Sequence, residues 1–249
     1  MKTITTTIIG ISLLNGLLTA SNAIAYDNPP SWMPMTMTNV SMNKATKQLA
    51  VQSQVEAGGP LQVQVQLGQA GSYDPMKPWG VLNNTYFSRR LGWDESINRN
   101  FYTYYADVLP AAHFVYITQT AQTANGVSVA PGFVLKSYNV KGADGMTTST
   151  NGYAQYEPIF GTAGSSTTWK WDGMMDHNAY AVAGNALSVA NEVFTTTYRL
   201  YVGNASGVED TSFGAATTTW TWVGPAVIPE PGSLGLLAVA GLALGRRRR

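Results

Sequence analysis

From Leu61 to Leu67, apolar residues and glutamines alternate without a break: Leu61, Val63, Val65 and Leu67 on one side, Gln62, Gln64 and Gln66 on the other. Successive side chains of an extended strand point to opposite faces, so this period of two writes a half-buried β-strand and not an amphipathic helix. Leu49, Val51 and Val55 keep the same phase upstream, and Glu56-Ala57-Gly58-Gly59-Pro60 supplies turn chemistry between them. The stretch predicts a hairpin with a glutamine-rich solvent face.

Further strands are expected at 85–89, 101–105, 114–119, 127–136, 153–156, 167–171, 179–182, 193–202 and 217–223. Within 193–202, Phe194, Thr196, Tyr198, Leu200 and Val202 share one face, opposite Thr195, Thr197 and Arg199. Asn125-Gly126 and the glycine-bearing stretches 141–145 and 161–166 mark turns. No segment sustains a 3.6-residue apolar spacing, and 183–191 is a short helix at most. Many short strands at such spacing predict an all-β chain, a single β-sandwich of jelly-roll-like form over residues 26–225.

Composition narrows the partners. Lys2, Arg246, Arg247, Arg248 and Arg249 are five of the fifteen basic residues and lie in the terminal segments, whereas thirteen of the fourteen acids lie between 26 and 228. The body is therefore mildly acidic, near −3, and no nucleic-acid partner is expected. Only 12% of the chain is charged, against about 25% in ordinary soluble domains. Thr, Gln, Ser and Asn supply the polar surface, a composition suited to hydrogen bonding with hydroxyl-rich polymers. Cysteine is absent, which removes disulfides, thiolate catalysis and thiolate-bound metals.

Two groups of residues are candidates for binding. Trp169 and Trp171 flank Lys170, and Trp220 and Trp222 flank Thr221. In each pair a spacing of two puts both indoles on one strand face, where they stack on sugar rings or, more ordinarily, fill a core. Trp79 and Trp93 lie among Pro78, Gly80 and Gly92, a loop-like context that favours exposure. The second group is Trp171-Asp172-Gly173-Met174-Met175-Asp176-His177-Asn178. Asp172, Asp176 and His177 there have the donor chemistry for a divalent ion, with oxygen ligands alone favouring calcium and the imidazole favouring zinc or manganese. The ordinary alternative is a turn whose acids bond their own backbone. Apart from that ion, no cofactor is expected.

Catalysis finds no constellation. Only His113 and His177 are present as imidazole bases, and neither a Gly-x-Ser-x-Gly elbow nor a His-Glu-x-x-His pair occurs. Paired carboxylates cannot be nominated from sequence, so no catalytic residue is assigned and the chain is read as a non-enzyme.

The two ends carry addresses. Lys2 precedes a largely apolar stretch at 8–18, and Ala23 and Ala25 occupy the positions a signal peptidase reads. Residues 1–25 are expected to be a signal peptide cleaved before Tyr26. At the other end, Pro229-Glu230-Pro231 precedes an uncharged apolar span at 232–245, closed by Arg246, Arg247, Arg248 and Arg249. As a helix that span reaches about 21 Å, short of the roughly 30 Å hydrocarbon core. The prolines and Glu230 resist extending it, and the arginines hold the far end on the cytoplasmic side.

The order of motif, apolar span and basic tail in residues 226–249 resembles the PEP-CTERM sorting signal. The resemblance implies recognition by an exosortase, a membrane-embedded cysteine protease, with Pro229, Glu230 and Pro231 as recognition elements. It also implies a Gram-negative-type envelope and an association with exopolysaccharide production. The reading is an exported protein that pauses in the inner membrane on a short transmembrane helix and then reaches the cell surface or extracellular matrix. There it is expected to play a structural or adhesive part in an exopolysaccharide layer. The rival readings are a carbohydrate-binding module and a polysaccharide-processing hydrolase or lyase.

Overall fold

A computed structural model describes residues 36–53, 62–64, 66–67, 76–89, 91–95, 109–142, 153–183 and 191–224. The expected signal peptide with Ala23 and Ala25, the strand at 101–105, and the C-terminal span with Pro229, Glu230, Pro231, Arg246, Arg247, Arg248 and Arg249 lie outside the described residues. Most of the short segment at 183–191 does too.

The described residues are all-β, as the periodicity predicts. A six-stranded sheet runs β11 (Thr168–Lys170), β7 (His113–Ala124), β14 (Val193–Asn204), β15 (Ala216–Val223), β3 (Gln62–Gln64), with β8 (Val127–Val129) paired to β7. A five-stranded sheet runs β10 (Tyr153–Ile159), β9 (Leu135–Gly142), β13 (Ala179–Ala183), β5 (Thr85–Ser88), β4 (Gln66–Leu67). A four-stranded sheet runs β12 (Asp176–His177), β6 (Leu91–Glu95), β1 (Thr36–Asn43), β2 (Gln48–Ser53). Among the described residues no helix is long and apolar enough to cross a membrane.

The hairpin expected between 49–55 and 61–67 is not what forms. β2 pairs antiparallel with β1, β3 pairs parallel with β15, and β4 pairs with β5. The alternating stretch is thus divided between two sheets. Residues 62–64 and 66–67 are strand as expected, but long-range partners rather than the nearby turn residues choose their neighbours. The stretch 127–136 likewise divides into β8 and β9, separated by a turn at Pro131, Gly132 and Phe133. Asn125-Gly126 behaves as its chemistry dictates, with both residues at positive φ between β7 and β8. Its tight turn suits the twist of a two-residue hairpin.

One core joins the three sheets. Leu200, Val202, Trp220 and Trp222 come from the six-stranded sheet, Tyr86, Leu135 and Tyr180 from the five-stranded one, and Val40, Leu91 and Trp93 from the four-stranded one. β14 shows the inward face read from sequence, since Phe194, Thr196, Tyr198, Leu200 and Val202 are all buried. β7 changes phase midway: the register passes from Thr197↔Ala121 to Tyr198↔Gln119, leaving Thr120 as a bulge. Gln119 and Gln122 both turn inward as a result. The Gln122 amide then joins two sheets, donating to Leu135 O at 3.0 Å and accepting from Val134 N and Leu135 N at 3.1 Å.

The five-stranded sheet is covered on its second face as well. Leu82, Phe87, Tyr138, Val140, Tyr156, Ala179 and Ala181 form a smaller cluster, with Trp79 packed against it. Leu82 and Trp79 belong to a single 3-10 turn over Pro78–Leu82. Fully buried strands read as apolar on both faces, which is why Ala179-Tyr180-Ala181-Val182 shows no alternation of polarity.

Gly92 allows β12 to lie close on β6, because any Cβ there would drive into the Asp176 carbonyl. Replacing Gly92 with alanine should cost about 2–3 kcal/mol through overpacking, seen as a lower urea midpoint. An unchanged midpoint would mean that β12 does not rest on β6.

Candidate functional site

The loop joining β11 to β12 closes on itself. Gly173 takes φ 82°, the Asp172 carboxylate accepts from Met174 N at 2.9 Å, and the Trp171 indole N–H donates to Met174 O at 2.9 Å. Asp172 is exposed and serves its own turn. Asp176 does the opposite: it is wholly buried, and neither carboxylate oxygen has a hydrogen-bond partner among the described residues. Burial first, then the Asp172 carboxylate, pushes its carboxyl up to about 8, against the pull of Lys141. At neutral pH Asp176 is therefore largely the neutral acid, because an uncompensated charge in the interior is far costlier than a protonated carboxyl.

Asn178 beside it donates to the Tyr180 hydroxyl at 3.3 Å. The side chain of His177 lies outside the described residues. Among the described residues no three His, Asp or Glu side chains come together as a metal site. Asp172 and Asp176, expected as two ligands of one ion, thus occupy different environments.

The tryptophans sort by position. Trp93, expected to be exposed, is 0% exposed and stacks on Trp220 with centroids 4.4 Å apart. It sits mid-strand in β6 with β1 on one side and β12 on the other, so its ring has only the core to enter. Trp171, Trp220 and Trp222 are also buried. In this fold those four cannot offer a ring face to a ligand. Trp79 is half-buried against the smaller cluster.

Trp169 lines a groove of about 400 Å³ between the rims of β10 and β11. It packs edge-on against Phe160 at 6.0 Å and stays half-buried. Lys141, Glu157, Ser165, Ser166 and Lys170 surround it. Lys141 faces Glu157 at 4.0 Å, and the Lys170 ammonium lies 3.4 Å above the Phe114 ring.

Sequence reasoning missed a second surface, the outward face of the six-stranded sheet. Thr118 and Thr168 hydroxyls are 2.8 Å apart, Thr123 and Thr195 2.5 Å, and Thr197 and Thr219 3.0 Å. Thr195 stands opposite Thr221, which extends the array across β15. At one end Tyr116 and Tyr201 stack at 5.4 Å. Arg199 grips Glu209 there through two hydrogen bonds of 2.6 and 3.0 Å. The signal for this face was present in the Thr-x-Thr spacing of β14 and β15. Asp210 is engaged too, meeting His113 at 3.3 Å.

Residues 227–249 match the family described as the PEP-CTERM protein-sorting motif. No curated protein and no solved structure matches the chain. The described residues are thus an all-β body, and the chain carries a sorting signal. That signal is the PEP-CTERM motif, which marks an exported substrate of an exosortase, itself a membrane protein, with a membrane-anchored intermediate before release at the cell surface.

Proposed function

We propose that the released protein is a non-catalytic, structural or adhesive component of an exopolysaccharide layer around a Gram-negative-type cell. The observation that carries this reading is the hydroxyl array on β7, β14 and β15, joined to the sorting motif. Polysaccharides offer hydroxyl donors and acceptors at short repeats, and a sheet face of paired threonines meets them in kind. Each such hydrogen bond contributes only about 1 kcal/mol net, but a polymer engages many at once, and linked contacts multiply. The ion pairs Lys141–Glu157 and Arg199–Glu209 and the His113–Asp210 contact support a non-enzyme, since these acids already have side-chain partners.

Two measurements test the route and the role. With Glu230 replaced by alanine, unprocessed chain should accumulate in the inner-membrane fraction and mature protein outside the cell should fall severalfold. Normal release would remove Glu230 from the recognition element. Cells that lack the protein should hold less polysaccharide in a cohesive layer, and an unaltered layer would count against the proposed role.

A further inference from the structure

We propose that the Trp169 groove binds an acidic sugar unit, a uronate residue within a polysaccharide chain; the proposal rests on the reading just given and names the site and the ligand class. Three features of the groove converge. Its volume of about 400 Å³ falls in the range of small-ligand clefts, about 300–1,000 Å³. Its wall carries a half-buried indole at the rim of an edge strand, where β11 has β7 on one side only. Sugar CH groups pack on such a ring face while hydroxyls remain free to hydrogen-bond.

The polar groups fit the rest of the ligand. Lys141 and Lys170 outnumber Glu157 in the groove, on a body that is acidic as a whole. A local positive excess on an acidic surface selects an anion over a neutral ring. Glu157 is 63% exposed on its side chain and only 4.0 Å from Lys141, a loose pair that a ligand carboxylate can replace while Glu157 accepts a sugar hydroxyl. Ser165 and Ser166 also line the groove. Thr168 also lines the groove and bonds Thr118 of the hydroxyl array, so the groove and that face meet along the edge strand β11.

The test uses the full-length chain in detergent micelles, titrated calorimetrically with polygalacturonate and with its fully methyl-esterified counterpart. The acid polymer should bind, and the neutral ester should bind about fivefold more weakly. Trp169→Ala should weaken binding of the acid polymer about tenfold and Lys170→Gln about threefold, with circular dichroism melts confirming that both variants fold. Equal affinity for acid and ester, no binding of either, or unchanged binding by both variants would overturn the proposal. Retention on the polysaccharide layer of producing cells separates this from the broader role. If wild type and both variants are retained alike, the groove proposal falls and the surface role stands. If wild type is not retained at all, the surface role falls with it.

Discussion

Replacing Asp176 with asparagine is expected to flatten the pH dependence of stability between about pH 4 and pH 8. In the native state the buried carboxyl keeps its proton up to about 8, whereas in the unfolded chain it releases it near the ordinary value of about 4. Between those limits the native state binds one proton more, so stability falls as pH rises, by at most about 1.4 kcal/mol per pH unit. Below about pH 4 both states are protonated and the slope from this residue vanishes; above about 8 both are ionised and it vanishes again.

Burial sets the window first, with Asp172 raising the carboxyl further and Lys141 opposing it. Asparagine matches the shape of the neutral acid and cannot ionise, so the variant should gain on wild type steadily from pH 5 to pH 8. Urea midpoints at each pH measure this. Parallel profiles for the two proteins would mean that Asp176 is already ionised inside the fold.

How far the architecture could be read in advance depends on what each residue pattern encodes. β14 and β15 were legible because their alternation is long and has a buried and a solvated side, so periodicity alone assigns the faces. β1, β6 and β12 were not. Leu91-Gly92-Trp93-Asp94-Glu95 offers one glycine, two acids and no sustained alternation, and it becomes a strand because β1 and β12 hold it from both sides. Parallel pairing of β15 with β3 joins residues far apart in sequence, and no local signal reports it.

The same limit applies to the sites. Trp169-Lys170-Trp171 and Trp220-Thr221-Trp222 look alike as text. Both members of the second pair are buried, whereas the first is split: Trp169 stays at the rim because β11 is an edge strand, and Trp171 leaves the strand and enters the core. The sorting motif was the most legible feature of all, because a linear signal needs no fold to be recognised.

Truncating Trp220 to alanine should be the most damaging single change in the body. Its ring is 0% exposed and sits where the three sheets meet, with Trp93 at 4.4 Å, Tyr198 at 4.9 Å, Tyr180 at 5.7 Å and Trp222 at 6.0 Å. These neighbours come from β6, β14, β13 and β15, so collapse of one wall onto the space would pull apart contacts with the others. Deleting a buried indole from a close-packed interior costs about 3–5 kcal/mol, a large share of a total stability of about 5–15 kcal/mol.

Trp169→Ala provides the internal comparison, since its half-buried ring has only one aromatic partner among the described residues, Phe160, and should cost about 1 kcal/mol. Denaturant midpoints for the two variants should therefore separate widely. Without a disulfide to constrain the unfolded chain, nothing covalent offsets the loss of the aromatic centre. Equal midpoints would show that the aromatic contacts around Trp220 do not hold the sheets together.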